Sequence, residues 1–218
     1  MTDNLRTESA LDRLISIVDH ALKNATGCPP ATGRPTPTPA VARETTPLQP
    51  PQRRHSAGLM RVNHAGEIAA QALYHGQALV ARDPAVRDFL MEAAREEGDH
   101  LVWCAQRLQE LDARPSLLGP LWYVGSAVLG AAAGLAGDAM SLGFIAETER
   151  QVEGHIHHHL ERLPADDDRS RASLIQMKAD EAAHRDHAMN LGGASLPAAV
   201  QVLMRNTAKI MTKSAYWF

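Results

Sequence analysis

The chain has 218 residues and a formal net charge of −3, and 44% of its residues are hydrophobic although only 4% are aromatic. This length is enough for one domain with a substantial core, and the slightly acidic balance argues against nucleic acid as a partner. The two cysteines, Cys28 and Cys104, lie in unrelated contexts and form neither a disulfide framework nor a thiolate metal site. Ala is abundant, and strand-like alternation of Val, Ile and Thr is absent, so the composition predicts an all-α fold.

The first 25 residues predict a short amphipathic helix of their own. Apolar residues recur there at helical spacing, namely Leu11, Leu14, Ile15, Val18 and Leu22. Such a helix either faces solvent or docks on a partner or a membrane surface. No secretory apolar core follows Met1, so we expect no signal peptide.

A proline-rich stretch follows at residues 26–54. Runs such as Pro35-Thr-Pro-Thr-Pro cannot hold a helix and offer little apolar surface to bury. We therefore expect a disordered or polyproline-like linker, a domain boundary near residue 55, and one domain spanning residues 55–218.

Within residues 55–218, apolar side chains at steps of three and four predict four long helices and a terminal one. Asp83 and Pro84 are typical of a helix start, with Asp as N-cap and Pro at the first helical position. The predicted helices are Ala57–Ala81, Pro84–Leu111, Asp138–Leu163, Arg169–Leu191 and a last one beginning near Pro197.

The segment Ser116–Gly137 contains no charged residue. Its length would span a bilayer, but Pro120 and several glycines interrupt it. We expect a buried crossover or an interfacial element, since ferritin-like four-helix bundles need one long connection between helices 2 and 3. The pair Trp122-Tyr123 and the C-terminal aromatic residues suit a membrane–water interface, so extra membrane-facing helical segments are expected.

Two Glu-x-x-His motifs lie on otherwise apolar helical stripes: Glu97 with His100, and Glu181 with His184. Residues three apart on a helix share one face, so the carboxylate and the imidazole of each motif can bind the same metal ion. Buried carboxylates need a partner, and neither Lys nor Arg occurs on these stripes. The pattern therefore predicts a metal site.

Each motif has a lone inward glutamate at a matching distance upstream. Glu67 precedes Glu97 by 97 − 67 = 30 residues, and Glu149 precedes Glu181 by 181 − 149 = 32 residues. Two helical hairpins related by a pseudo-two-fold axis would place four Glu and two His around two ions. Four carboxylates balance two divalent cations, and this oxygen-rich set favours iron or manganese over zinc.

Several nearby residues are weaker candidates. His155 is close to inward on its helix, and a supporting role beside a ligand or the substrate is one option for it. Asp180 and Asp99 are candidate acceptors for the imidazoles or, equally, exposed acids. His64 and Asn63 are candidates for capping or orienting as much as for binding metal.

Four segments together resemble the demethoxyubiquinone hydroxylase family, from about residue 55 to the C-terminus. The sequence Asn63-His-Ala-Gly-Glu67 is the most specific of them, whereas Glu-x-x-His pairs alone indicate only the wider ferritin-like group. The segments are Arg61–Glu67, Glu96–His100, Glu147–His155 and Asp180–His184.

The resemblance implies an O2-dependent di-iron monooxygenase of ubiquinone biosynthesis. It implies two iron ions, Fe2+ in the reduced state, and prenylated demethoxyubiquinol as substrate. It also implies a peripheral position on the cytoplasmic side of the cell membrane and, as further partners, other proteins of the pathway. Its metal ligands would be Glu67, Glu97, His100, Glu149, Glu181 and His184.

Two other functions stay open at this point. One is an iron-storage or peroxide-scavenging protein of the ferritin or rubrerythrin type. The other is a non-enzymatic quinone-binding assembly factor. No glycine-rich dinucleotide motif occurs, so we expect electrons to come from a reductant in direct contact, a partner or the quinol itself.

Overall fold

The structure is a computed structural model that describes residues 12, 15, 18–20, 22, 23, 29–37 and 47–217. Its described residues form six long helices and no strand, which confirms the predicted all-α class. The helices are α1 (Pro50–Val80), α2 (Pro84–Glu110), α3 (Gly119–Leu135), α4 (Asp138–Arg162), α5 (Asp168–Asn190) and α6 (Ala198–Trp217).

At the N-terminus, the described residues between 12 and 23 are helical. Ile15, Val18 and Leu22 of the predicted apolar face are exposed. Leu11 and Leu14 lie outside the described residues. Residues 29–37 have no regular secondary structure but contact α2.

The helix bounds agree closely with the prediction except at the start of α1. This helix begins at Pro50, ahead of the predicted Ala57, because Pro at the first helical position is preset for helical backbone. The main-chain N–H of Gln49 also donates to the side chain of Gln52, 2.9 Å away, and closes a capping box. The division of the chain at residue 55 stays a prediction.

Two helical hairpins build the bundle, and short turns hold each hairpin antiparallel. Helix α1 packs on α2 and α4 packs on α5, while α2 contacts α5 and α1 contacts α4. Asp83 caps α2 as predicted, accepting from the main-chain N–H of Ala85 at 2.9 Å. Asp138 accepts from the main-chain N–H of Asp83 at 2.8 Å and so fixes the first hairpin turn to the start of α4. This arrangement is a ferritin-like four-helix bundle.

Helix α3 forms the crossover between the two hairpins and lies along α1. The two backbones approach so closely that a Cβ on Gly76 would meet the carbonyl of Ala127, and one on Gly130 would meet the carbonyl of Leu73. Only glycine fits at such contacts. None of the described helices is both long enough and apolar enough to cross a membrane.

Helix α6 returns along α1 and ends beside the start of α3. Ala215 is buried with Val62 of α1, and Trp122 and Tyr216 pack against them. The Tyr216 hydroxyl lies 2.8 Å from Nδ1 of His55. The C-terminal aromatic cluster is therefore partly buried at Tyr216.

His75 on α1 joins three parts of the chain. Its side chain is buried, its Nδ1 lies 3.2 Å from the Tyr123 hydroxyl of α3, and its ring stacks on His20 at 4.3 Å. Burial, with a smaller effect from His20, lowers the pKa of His75 to about 3. This imidazole is therefore neutral in the folded protein at neutral pH.

We expect Gly130→Ala to destabilise the protein and Gly125→Ala, on the same helix, to be harmless. The first adds a methyl group against backbone, which costs roughly 1–3 kcal/mol. The second meets nothing within 4 Å and gains about 0.5–1 kcal/mol of helix propensity. Urea unfolding measures both, and equal stabilities would contradict the close contact of α3 with α1.

We also expect His75→Asn to weaken the acid sensitivity of folding. The unfolded chain binds a proton at His75 below about pH 6.5, whereas the folded chain does so only near pH 3. The free energy of unfolding therefore falls with decreasing pH across that window, by about 1.4 kcal/mol per pH unit from this residue. Unfolding curves of the parent and the variant at pH 7.5 and pH 5 measure this difference. An equal loss of stability in both proteins would refute the low pKa assigned to His75.

Candidate metal centre

The bundle brings all six predicted metal-binding residues together in its core. Each hairpin contributes one glutamate from its first helix and a Glu-x-x-His pair from its second, and the exposed fraction of each residue lies between 0% and 5%. Glu67 comes from α1, Glu97 and His100 from α2, Glu149 from α4, and Glu181 and His184 from α5.

One half of the cluster surrounds Nδ1 of His100. This nitrogen lies 3.0 Å from Glu97 Oε2, 3.5 Å from Glu67 Oε2 and 3.5 Å from Glu181 Oε1. One ligand atom from each of these four residues lies within 4.8 Å of the other three, which is compact enough to hold a metal ion. Since Nδ1 faces the acids, it is the nitrogen available to a metal.

The other half surrounds Nδ1 of His184. It lies 3.2 Å from Glu97 Oε1 and 3.6 Å from Glu181 Oε2, and Glu149 lies beside Glu181. Glu97 and Glu181 thus face both imidazoles, while Glu67 and Glu149 flank them on either side. Two metal ions bound side by side here would share the carboxylates of Glu97 and Glu181.

Burial governs the electrostatics of these groups. It raises the pKa of Glu67 and Glu149 well above the usual range, reinforced by neighbouring glutamates. Burial alone would also raise the pKa of Glu97, but the two imidazoles hold it well below normal. Burial works against charge on His100 too, yet Glu97 and the other acids raise its pKa well above normal. Without a metal, protons must neutralise the cluster.

Several buried polar atoms of the cluster lack a hydrogen-bond partner within the described chain. They are Glu97 Oε1, Glu149 Oε2, both carboxylate oxygens of Glu181, and His184 Nδ1. Buried polar atoms normally have hydrogen-bond partners, and a group of unpartnered acceptors close to one another indicates a site for cations. The donor set therefore fits two divalent ions bound mainly through oxygen.

Outer hydrogen bonds hold the ligand side chains in place. The far nitrogen Nε2 of His100 lies 2.9 Å from Asp180 Oδ2, and Nε2 of His184 lies 2.9 Å from Glu96 Oε2. Each acid directly precedes the glutamate of the opposite motif, so each imidazole links α2 to α5. A carboxylate in this position fixes the tautomer and the orientation of a ligating imidazole.

Tyr74 plays the same part for Glu149. Its buried hydroxyl donates to Glu149 Oε1 at 2.6 Å. Burial and the surrounding acids raise the pKa of Tyr74 well above its usual value, so the hydroxyl keeps its proton. This bond leaves the second oxygen of Glu149 free for a metal.

Of the residues that the sequence offered as weaker candidates for a role at the metal site, some lie near the cluster and others lie away from it. Asp180 accepts from the imidazole of His100, which is one of the two roles predicted for it, whereas Asp99 accepts hydrogen bonds from residues 32–34. Nδ1 of His159 lies 3.2 Å from Oδ1 of Asn63. The ring of His155 lies 4.0 Å from that of His159, and no described hydrogen bond joins it to the six, so its supporting role stays a prediction.

Sequence reasoning missed Glu96 and Tyr74. A signal existed for Glu96, because an acid directly precedes the glutamate of both Glu-x-x-His motifs: Glu96 before Glu97 and Asp180 before Glu181. Tyr74 lies seven residues after Glu67 on the inward face of α1, but its bond to α4 depends on how the hairpins dock.

Fold and site together define a ferritin-like helical bundle with a buried carboxylate–histidine centre able to hold metal ions. Comparison with known families narrows this class further. Residues 54–215 match the family model described as "Ubiquinone biosynthesis protein COQ7". The chain belongs to the COQ7 family.

Alignments with curated relatives cover almost the whole chain. A protein of Ralstonia pickettii named 3-demethoxyubiquinol 3-hydroxylase is 56% identical, covering 94% of this chain and 99% of its own length. One of Xanthomonas oryzae pv. oryzae with the same name is 55% identical, covering 99% of this chain and 98% of its own. The similarity therefore includes residues ahead of the family match.

Proposed function

We propose that this chain is a 3-demethoxyubiquinol 3-hydroxylase, an O2-dependent monooxygenase that hydroxylates the quinol ring of prenylated demethoxyubiquinol in ubiquinone biosynthesis. The observation that carries the proposal is the buried cluster of four glutamates and two histidines in a member of the COQ7 family. The names of relatives 55–56% identical support the same substrate and reaction.

Two iron ions are the proposed cofactor, Fe2+ in the reduced state. The ligands would be the six clustered residues, with Glu97 and Glu181 in the shared positions because both face the two imidazoles. Four carboxylates match the charge of two divalent cations, and the oxygen-rich set suits iron. When bound, the irons supply the activation of O2 that carbon hydroxylation requires.

The protein's own residues prepare the site for that chemistry. The bundle core excludes water from the ligand set, which strengthens every electrostatic interaction within it. Asp180 and Glu96 orient the imidazoles through Nε2, so that Nδ1 of each points inward. Tyr74 holds one oxygen of Glu149 and keeps its own proton. These contacts preorganise the ligands before the metals arrive.

The rival functions have less support. A rubredoxin-like site of the rubrerythrin type needs more thiolates than the two cysteines of this chain. A ferritin-type storage role would appear as a mineral core or large cages in the purified protein. A non-enzymatic quinone-binding factor would keep its function without Glu181 or His184.

We expect cells whose own copy carries Glu97→Ala to accumulate demethoxyubiquinone and to lose ubiquinone. The substitution removes a shared carboxylate, so the purified variant should also retain less than the two iron ions per chain expected of the parent. Glu161→Ala is the control, because Glu161 is an exposed glutamate on α4 whose described ion pairs are with the exposed His157 and His158. Quinone extraction with chromatography, together with iron analysis, measures both effects, and a normal quinone pool in Glu97→Ala cells would reject the function.

We further propose that the protein binds peripherally to the cytoplasmic side of the cell membrane, where a prenylated quinol resides, and in the company of other proteins of the pathway. Helix α3 carries a stripe of exposed apolar side chains: Leu121, Val124, Val128 and Leu135. Helix α6 exposes Leu203 and Ile210 and contains three cations and no acid. Apolar and cationic faces of this kind suit anionic lipid.

We expect the double variant Leu121→Asp/Val128→Asp to bind vesicles of phosphatidylglycerol and phosphatidylethanolamine at least tenfold more weakly. Each apolar side chain of this size contributes roughly 1.5–3 kcal/mol when buried, and an acid would be repelled by the anionic lipid. Ile175→Asp is the matched control, since Ile175 is an equally exposed apolar residue on α5. Vesicle co-sedimentation measures binding. If Ile175→Asp weakened binding as much as the double variant does, a specific membrane-binding face would be refuted.

A further inference from the structure

A segment ahead of the bundle, residues 29–37, lies over the metal centre; we call it the N-terminal strap. Buried Asp99 on α2 anchors it, accepting from the Thr32 hydroxyl, from the main-chain N–H of Gly33 at 2.8 Å and from Nε of Arg34 at 3.0 Å. The main-chain N–H of Arg34 also donates to this carboxylate at 3.3 Å, so four hydrogen bonds to one buried acid define the contact.

The helix under the strap is shaped to receive it. A Cβ on Gly98 would collide with the carbonyl oxygen of Pro30, so only glycine lets the strap lie this close. The same carbonyl accepts from Nε2 of Gln71 at 3.3 Å, which ties the strap to α1 as well. Gly98 and Asp99 are the two middle residues of the Glu97–His100 motif.

Arg34 carries the strap to the metal ligands. Its Nη1 donates to Asp180 Oδ2 at 2.9 Å, and the same oxygen lies 2.9 Å from Nε2 of His100. Nη2 of Arg34 lies 3.4 Å from that imidazole nitrogen as well. The guanidinium also lies over the Trp103 ring, 5.0 Å from its centre, and the Arg34 carbonyl accepts from the indole N–H at 3.3 Å. Trp103 therefore holds both the guanidinium and the main chain of Arg34 while the guanidinium contacts Asp180.

In the described part of the chain, no arginine bonds to the acid behind the second imidazole. Glu96, which accepts from His184, is 32% exposed and has no arginine or lysine among its described hydrogen bonds and ion pairs. Asp180, by contrast, also accepts from Gln176 at 2.9 Å. The strap thus breaks the pseudo-two-fold symmetry of the centre at the residues directly behind the ligands.

We propose that Arg34 is a positioning residue for the metal centre: through Asp180 it sets the orientation and the electron-donating strength of His100, and so makes the two ion positions inequivalent. The inference rests on the proposed metal site. By sharing the Asp180 charge, Arg34 weakens that acid as an acceptor for His100. It also places a fixed positive charge near the His100 ion position.

Both effects act in the same direction on the iron. Removal of Arg34 leaves the full charge of Asp180 on His100, which makes the imidazole a stronger donor and favours the oxidised metal. Loss of a nearby cation also favours the more positive, oxidised state. Without Arg34 the centre should therefore be harder to reduce.

The test is an anaerobic redox titration of the iron-loaded full chain. We expect Arg34→Gln to lower the midpoint potential of the first one-electron reduction by about 59 mV, which is a tenfold change in the equilibrium constant of that reduction. The variant should still bind two irons. Arg34→Lys keeps the charge and should recover part of the shift. Arg53→Gln is the control, because it removes a surface arginine paired with Asp112 and leaves the cluster untouched.

Gly98→Ala tests the strap without removing any charge. It should displace the strap, abolish hydrogen-exchange protection of the Gly33 and Arg34 amides in the metal-free protein, and lower the potential as Arg34→Gln does. Ala otherwise favours the helix, so a folded variant is expected.

The outcomes separate the strap from the metal site itself. A parent protein that binds no iron would count against the proposed function. A loaded Arg34→Gln or Gly98→Ala protein with the parent potential would overturn the role of Arg34, even if its melting temperature fell. A shift of equal size in Arg53→Gln would also overturn it.

Discussion

The structure depends on one electrostatic constraint: four glutamates and two histidines are buried together, and within the described residues no Lys or Arg forms an ion pair with any of the four glutamates. Among the described ion pairs, the carboxylates of Glu67, Glu97 and Glu181 meet only histidine nitrogens. Glu149 accepts from the Tyr74 hydroxyl and lies beside Glu181. A bundle core does not tolerate four unpaired carboxylates, so either protons or metal ions must enter. Two divalent cations satisfy the whole set at once, and this fits the membership of the chain in the COQ7 family.

The rest of the chain holds that set in place. Each hairpin presents one glutamate and one Glu-x-x-His pair, and the outer acids Asp180 and Glu96 connect the two motifs crosswise through the imidazoles. Helix α3 closes the bundle along α1 through glycine contacts that leave no room for side chains. Its opposite face and the exposed side of α6 present apolar side chains to solvent, and the proposed membrane contact rests on them.

Much of this could be predicted from the sequence, because helical periodicity is a local property. The spacing of Leu174, Met177, Glu181 and His184 placed all four on the buried face of α5, and the 30- and 32-residue offsets implied two equivalent hairpins. The predicted start of α1 was too late because the prolines ahead of it were interpreted as helix breakers. Proline is also favoured at the first position of a helix. The strap was missed because the Arg34–Asp180 contact joins residues 146 positions apart, which no local pattern reveals.

The most direct measurement is iron anomalous diffraction from crystals of the full-length protein grown anaerobically with Fe2+. The account predicts two iron peaks per chain inside the bundle, both touching Glu97 and Glu181, with His100 on one and His184 on the other. A single peak, or iron bound only at surface histidines while the six residues remain metal-free, would contradict it.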